Sequence, residues 1–305
     1  MTDLWTERDE PQPELQADRP INLPSITTTF LLPKTRPGRI FWRALRDNAM
    51  GIVIWGSVFS LLLAALALIF PYQQESNTLV NILSGLGLLE RLTGAREIDI
   101  AAFSTFEGYL ALQVLGWAPI IFSAYLIPQA INAVMAEERD GTLDLLLTTP
   151  LPRWRFLTEK ALAIVVSLMC ILFMMMVTLI IVTQAIAEID FAIWQPMNSM
   201  WHIFPISMII LAFTLFLCVT LRQPRTAGGL AALFVLGNYF IRAISDMTDL
   251  PIFNILRHIN LFEYYASVAA LTEGVNLARD LGVVAFAGLI FLLAVVQFQR
   301  RDIGV

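Results

Sequence analysis

From Gly38 onward the chain alternates long apolar runs with short polar breaks. Six runs approach the roughly 20 residues that an α-helix needs to cross a bilayer: about 49–70, 109–135, 161–187, 201–221, 226–245 and 281–298. The first, Ala49–Phe70, carries no charge and is closed by Pro71. The second contains Pro119 and Pro128, each expected to kink or loosen it. Its Gln113, Gln129 and Asn132 are expected to bond between helices. The third holds Met174, Met175 and Met176 in sequence. Adaptable packing is the plain reading of such a cluster, and a pliable contact for a greasy substrate the sharper one. Glu188–Met200 reads as a short loop, and Arg222–Arg225 as a very tight turn. Gly228 and Gly229, just beyond it, would let a neighbouring helix approach closely.

The segments between the runs have patterns of their own. Arg39, Arg43 and Arg46 recur at helical spacing, while Phe41, Trp42 and Leu45 lie away from them. That is a basic amphipathic helix suited to an anionic membrane interface; the alternative is an extension of the first span with snorkelling arginines. Leu79–Leu92 is apolar enough for an amphipathic helix on the outer surface. Leu250–Leu261 is too short to span and has Arg257, His258 and Glu263 in or beside it, which predicts a re-entrant or surface helical segment. Residues 1–37, rich in proline and acidic in their first half, read as a disordered cytoplasmic tail.

Composition sharpens the class. Of 305 residues, 57% are hydrophobic and 15% charged, and mean hydropathy is +0.68. A soluble domain is nearer half apolar and about a quarter charged. The fold class is therefore an all-α polytopic membrane protein with six transmembrane helices. The net charge of −5 sits largely in the tail and loops, and no basic patch points to nucleic acid. Cys170 and Cys218 both fall in apolar runs, so space-filling buried thiols are expected rather than a disulfide. The first apolar run starts after nearly fifty polar residues, too late for a cleaved signal peptide.

Six spans place the basic residues unequally. Lys34, Arg36, Arg39, Arg43 and Arg46 share one side with Arg139, Arg153, Arg155, Lys160, Arg222, Arg225, Arg300 and Arg301. The opposite loops hold chiefly Arg91, Arg96, Arg257 and Arg279. By the positive-inside rule both termini are expected to be cytoplasmic.

The stretch Met135–Lys160, MAEERDGTLDLLLTTPLPRWRFLTEK, stands apart. A charged cluster (Glu137, Glu138, Arg139, Asp140) precedes Gly141, whose backbone freedom suits a helix stop. Pro150 cannot continue the piece that follows. Thr142–Thr149 is thus a separate helix of about two turns, and Leu143, Leu145, Leu146 and Leu147 require a partner surface. Lipid headgroups would serve, as would another protein. The string E-E-R-D-G-T-L-D-L-L-L-T-T-P-L-P-R resembles the signature loop of ABC-2 transporter permeases. The basic helix before the first span is similar to their elbow helix, and Glu263–Gly274 to the segment before their last span.

This resemblance implies a coupling helix between spans two and three that touches a cytoplasmic ABC ATPase subunit. On that reading Glu137, Glu138, Arg139 and Asp140 make polar contacts to the ATPase. Leu143, Leu146 and Leu147 fill its apolar cleft, with Thr142 at the start of the helix. Gly141 and Pro150 delimit that helix, and Arg153 fixes its far end. Arg39, Phe41, Trp42, Arg43 and Arg46 form the membrane-interface elbow. The resemblance further implies a second permease chain, a homodimer by default, in a bacterial plasma membrane, with ATP and Mg bound by the partner subunit.

No G-x-x-x-x-G-K-[ST], H-E-x-x-H or G-x-S-x-G string occurs, so nothing in the sequence points to ATP binding or hydrolysis by this chain. Its histidines, His202 and His258, are near span boundaries and read as structural. Arg242, near the outer end of the fifth span, has Asp246 one turn on; an i,i+4 ion pair is the plain reading, a substrate contact the other. The expected function is a permease, and an exporter of a hydrophobic or amphipathic compound. A non-transporting membrane anchor and an ion-coupled carrier are the alternatives, the latter disfavoured by spans nearly free of carboxylates.

Overall fold

The computed structural model describes residues 38–75, 105–136, 152–186, 192, 194–221, 223–247, 256, 260–265 and 276–300. These all belong to one compact unit, Thr35–Val305. Among the described residues the fold is wholly helical, with six helices long and apolar enough to cross a membrane. A nine-residue helix, α1 (Arg39–Asp47), precedes the first of them. The crossing helices are α2 (Ala49–Glu75), a composite second span, α5 (Arg153–Ala185), α6 (Trp194–Thr220), α7 (Pro224–Met247) and α8 (Leu277–Arg300). A 3₁₀ turn at Leu261–Tyr264 lies between α7 and α8.

Helices extend beyond the apolar runs that announce them. The helix of the first span runs through Pro71, where it was expected to close, and on to Glu75. A proline near the end removes only its own hydrogen bond, so one more turn survives. The third helix begins eight residues before its apolar run, at Arg153. The fourth begins at Trp194, so much of the expected Glu188–Met200 loop is helix, with Pro196 in its first turn. Apolar content marks the hydrocarbon slab; backbone hydrogen bonding sets the helix ends, and the two need not coincide. Leu79–Leu92, Gly141–Pro150 and most of 248–275 lie outside the described residues.

The second span is built in pieces. Thr105 caps α3 (Phe106–Leu110), its hydroxyl accepting from the Gly108 N–H at 3.2 Å. A π-helical turn follows at Ala111–Leu115, and the chain resets at Trp117. There α4 (Ala118–Ile131) starts with Pro119 in its first turn, where a missing N–H costs nothing. Pro128 lies inside α4, and a second π turn occupies Asn132–Ala136. Pro119 therefore restarts the span rather than kinking it from within.

The second span and α6 form the centre, with 65% and 67% of their crossing windows buried; α7 and α8 have 17% each and surround it. Rings from α2 and α4 interlock: Phe59 meets Phe122 at 5.1 Å, and Trp55 meets Tyr125 at 6.0 Å. Met175 is buried in this core, so at least that methionine is packing. Buried hydroxyls need a partner away from water, and Ser167, Ser207 and Thr214 each donate to the carbonyl four residues back, at 2.7–2.8 Å. Gly228 faces Ile131 closely enough that a Cβ would meet Ile131 Cδ1 at 2.9 Å, whereas a Cβ on Gly229 would meet nothing within 4 Å. One of the two glycines is the close approach. Cys218 is buried as expected, but Cys170 is exposed on the outside of α5.

Candidate functional site at the two ends of the bundle

Chain direction sorts the polar residues into two groups. From the α1 end, α5 leads away and α6 returns; α7 leads away again and α8 returns. Phe156 of α5 accordingly stacks on Phe298 of α8 at 6.3 Å.

At the α1 end a helix is capped from far along the chain. α1 starts at Gly38, which has φ 87° and no side chain to cap the free N–H groups. The first turn holds no acid, and Arg39 sits at the positive end of the helix dipole. Glu159, two turns into α5, compensates. Its carboxylate accepts the backbone N–H of Gly38 (3.2 Å), Ile40 (3.1 Å) and Phe41 (3.2 Å). Arg155 donates to the same carboxylate at 2.8 Å. The next residue, Lys160, donates to the Ala133 carbonyl at 2.9 Å, joining α5 to the π turn that ends the second span. Residues 137–151 thus connect two helices that are clipped together.

Of the residues assigned to coupling, only Arg153 lies in the described part, as the first residue of α5. Glu137, Glu138, Arg139, Asp140, Gly141, Thr142, Leu143, Leu146, Leu147 and Pro150 lie outside it. On α1, Arg39, Trp42, Arg43 and Arg46 are exposed, while Phe41 is half-buried and touches Trp42 edge-on at 5.4 Å. Arg43 approaches Asp47 at 3.8 Å in an exposed pair that contributes little.

At the opposite end the hydrogen bonds are denser. Arg242 donates to the carbonyls of Phe262 (3.1 Å) and Tyr265 (2.7 Å), holding the 3₁₀ turn against α7. The side chain of Asp246 lies outside the described residues. Asn238 and Asn260 reinforce the joint: Asn260 Nδ2 donates to the Asn238 carbonyl at 2.7 Å, and Asn238 Oδ1 accepts from the Leu261 N–H at 3.3 Å. The Tyr265 hydroxyl donates to the Leu115 carbonyl at 2.8 Å, meeting the first π turn. Burial pushes the pKa of that hydroxyl up, against a smaller opposing effect of the Arg242 charge, so it remains a donor.

Sequence reasoning missed a carboxylate that is the most buried among the described residues. Asp280, just before the apolar run at 281–298, sits in the first turn of α8 with a side chain 2% exposed. His202 Nδ1 is 3.7 Å from Asp280 Oδ2, and the imidazole stacks on Tyr265 at 4.6 Å. Arg279 Nε is 3.7 Å from the other Asp280 oxygen. The available signal was Asn276: its side chain caps α8 by accepting from the Arg279 N–H at 3.2 Å, which places Asp280 inside the helix. Nearby, Gln195 Nε2 donates to Glu107 Oε1 at 3.1 Å, joining α6 to α3. Among the described residues no group of three or more His, Cys, Asp or Glu side chains could hold a metal ion.

Comparison with curated proteins finds no match. The family described as ABC-2 family transporter protein matches residues 39–303, from the first residue of α1 to beyond the end of α8. Six crossing helices and a match over this length lead to one conclusion: the chain belongs to the ABC-2 transporter family and is the membrane permease of an ABC transporter.

Proposed function

We propose that this permease exports a hydrophobic or amphipathic compound, energised by a separate ABC ATPase subunit that docks on the 136–157 loop and binds ATP and Mg. Two copies of the chain form the transport path, with both termini on the ATPase side. The observation that carries this reading is the pair of clips beneath the loop: Lys160 to Ala133, and Glu159 to the N-terminus of α1. A force applied to a loop with untied ends would be lost in local motion. Here both ends bear on one junction of the second span, α5 and α1.

In this mechanism ATP closes the ATPase dimer, and its shifting surface presses on the Thr142–Thr149 helix. Leu143, Leu146 and Leu147 occupy an apolar cleft of the ATPase, ringed by contacts from Glu137–Asp140. The second and third spans tilt and open a midline cavity outward. Any coupling of this kind needs the ATPase to hold different contacts in its two states.

The test is a mild-detergent purification of the tagged chain from its native membrane, followed by Leu146→Asp. The expected result is an ATPase subunit at about one per chain. Leu146→Asp should abolish substrate-stimulated hydrolysis while membrane insertion stays intact. Unchanged coupling in that variant, or a chain that purifies alone even after crosslinking, overturns the docking assignment.

A further inference from the structure

Between α1, α4 and α5 lies a cavity of about 230 Å³ that none of the roles assigned above uses. Its wall carries two cations, Arg43 and Lys160, against one carboxylate, Asp47. Three carboxamides, Asn48, Gln129 and Asn132, add both donors and acceptors. Ile40, Phe156 and Ile164 supply an apolar side.

The carboxamides matter most. Gln129 and Asn132 were expected to bond between helices, yet neither side chain makes a hydrogen bond to another described residue. Three amides at one opening, with no side-chain hydrogen bond to another described residue, form a polar surface open to a ligand. Lys160 is anchored, donating to Ala133 and lying 4.9 Å from the Phe156 ring centroid, so its ammonium has a fixed place in the wall. Arg43 is exposed and can swing from Asp47 towards a stronger anion, since guanidinium and phosphate pair in a bidentate geometry.

The surroundings indicate where such an anion comes from. The cavity is lined by α1, whose Trp42 is 68% exposed, and reaches Asn48, the residue before the lipid-grade α2, whose Met50 is 71% exposed. A tryptophan next to an apolar helix end marks the headgroup level of a bilayer. Basic pockets between spans at that level suit anionic lipid headgroups.

We propose that this cavity binds the phosphate headgroup of an anionic phospholipid. Arg43 and Lys160 neutralise the phosphate, Asn48, Gln129 and Asn132 hydrogen-bond its oxygens or the headgroup hydroxyls, and the Ile40–Phe156–Ile164 side receives the glycerol and first acyl carbons. The proposal goes beyond the transport reading and stands without an ATPase.

Intact-protein mass spectrometry of the detergent-purified full chain tests it, with phosphatidylglycerol or phosphatidylcholine added at equal concentration. Phosphatidylglycerol should be retained in preference. Arg43→Gln should reduce that preference roughly fivefold, the equivalent of one lost basic contact near a membrane surface. Asn132→Asp, which places a second carboxylate in the wall of an already exposed position, should reduce it further. Arg225→Gln, exposed at the same end but away from the cavity, should leave it unchanged. Equal retention of the two lipids, or full phosphatidylglycerol retention in both cavity variants, overturns the proposal. Displacement of phosphatidylglycerol by millimolar inorganic phosphate overturns it in favour of a free-phosphate site.

Discussion

Glu159 caps a helix whose N-cap lies 121 residues earlier: its carboxylate accepts the backbone N–H groups of Gly38, Ile40 and Phe41. A helix start normally finds its cap in the preceding residue. Here a glycine in the left-handed region turns the chain, and the anion arrives from α5. The position of α1 is consequently a property of α5 and moves with it.

Replacing Glu159 with Gln leaves one acceptor oxygen where there were two and removes the charge. Charge-assisted bonds to a capping carboxylate are worth about 1.5–3 kcal/mol. The expected outcome is faster amide exchange at Gly38–Trp42 by one to two orders of magnitude, with α5 protection retained. Coupling of ATP hydrolysis to transport should weaken in the same variant. Unchanged exchange at Gly38–Trp42 would show that α1 is held by its apolar side alone.

Gly228→Ala tests helix approach. The added Cβ meets Ile131 Cδ1 at 2.9 Å, so α7 must move away from α4 or Ile131 must change rotamer. Overpacking of this kind costs roughly 1–3 kcal/mol. Ile131→Ala should restore part of the loss in the double variant, whereas Gly229→Ala, with nothing near its Cβ, should be neutral or slightly stabilising. Thermal unfolding of the four proteins in one detergent measures this.

Arg242→Leu should destabilise the far end. It leaves the Phe262 and Tyr265 carbonyls without their donor, at about 1–3 kcal/mol for buried polar groups deprived of a partner. Arg242→Lys should recover part of that, since an ammonium reaches one carbonyl more readily than two. Limited proteolysis near Leu261–Tyr265 and the midpoint of thermal unfolding provide the readouts. If Leu and Lys behave alike, the guanidinium is not what holds the turn.

The apolar runs carried the class and all six crossing helices, because burial in hydrocarbon demands uninterrupted apolar residues whatever the neighbours are. They carried helix ends less well. Arg153–Lys160 is helix although most of it is polar, its first turns being held by the bonds of Glu159 and Lys160. The role of Glu159 could not be read locally, as its partners are more than a hundred residues away. Asp280 was hidden for a related reason. A carboxylate at the edge of an apolar run looks solvated in one dimension, and only the approach of His202 and Tyr265 from other elements buries it. The Arg242 position near the end of the fifth span was legible from spacing; its carbonyl partners were not.

α5 runs for 33 residues without a proline or glycine, about 50 Å at helical rise. The second span, across the same loop, is broken by a reset at Trp117 and by two π turns. One foot of the arch is therefore a stiff lever and the other a jointed one. Equal pressure on the arch would tip the first as a whole and fold the second at its joints, so the motion reaching the far end is a shear between neighbours rather than a shared tilt. The Tyr265 bond to Leu115 fastens the first of those joints to the turn that Arg242 holds against α7.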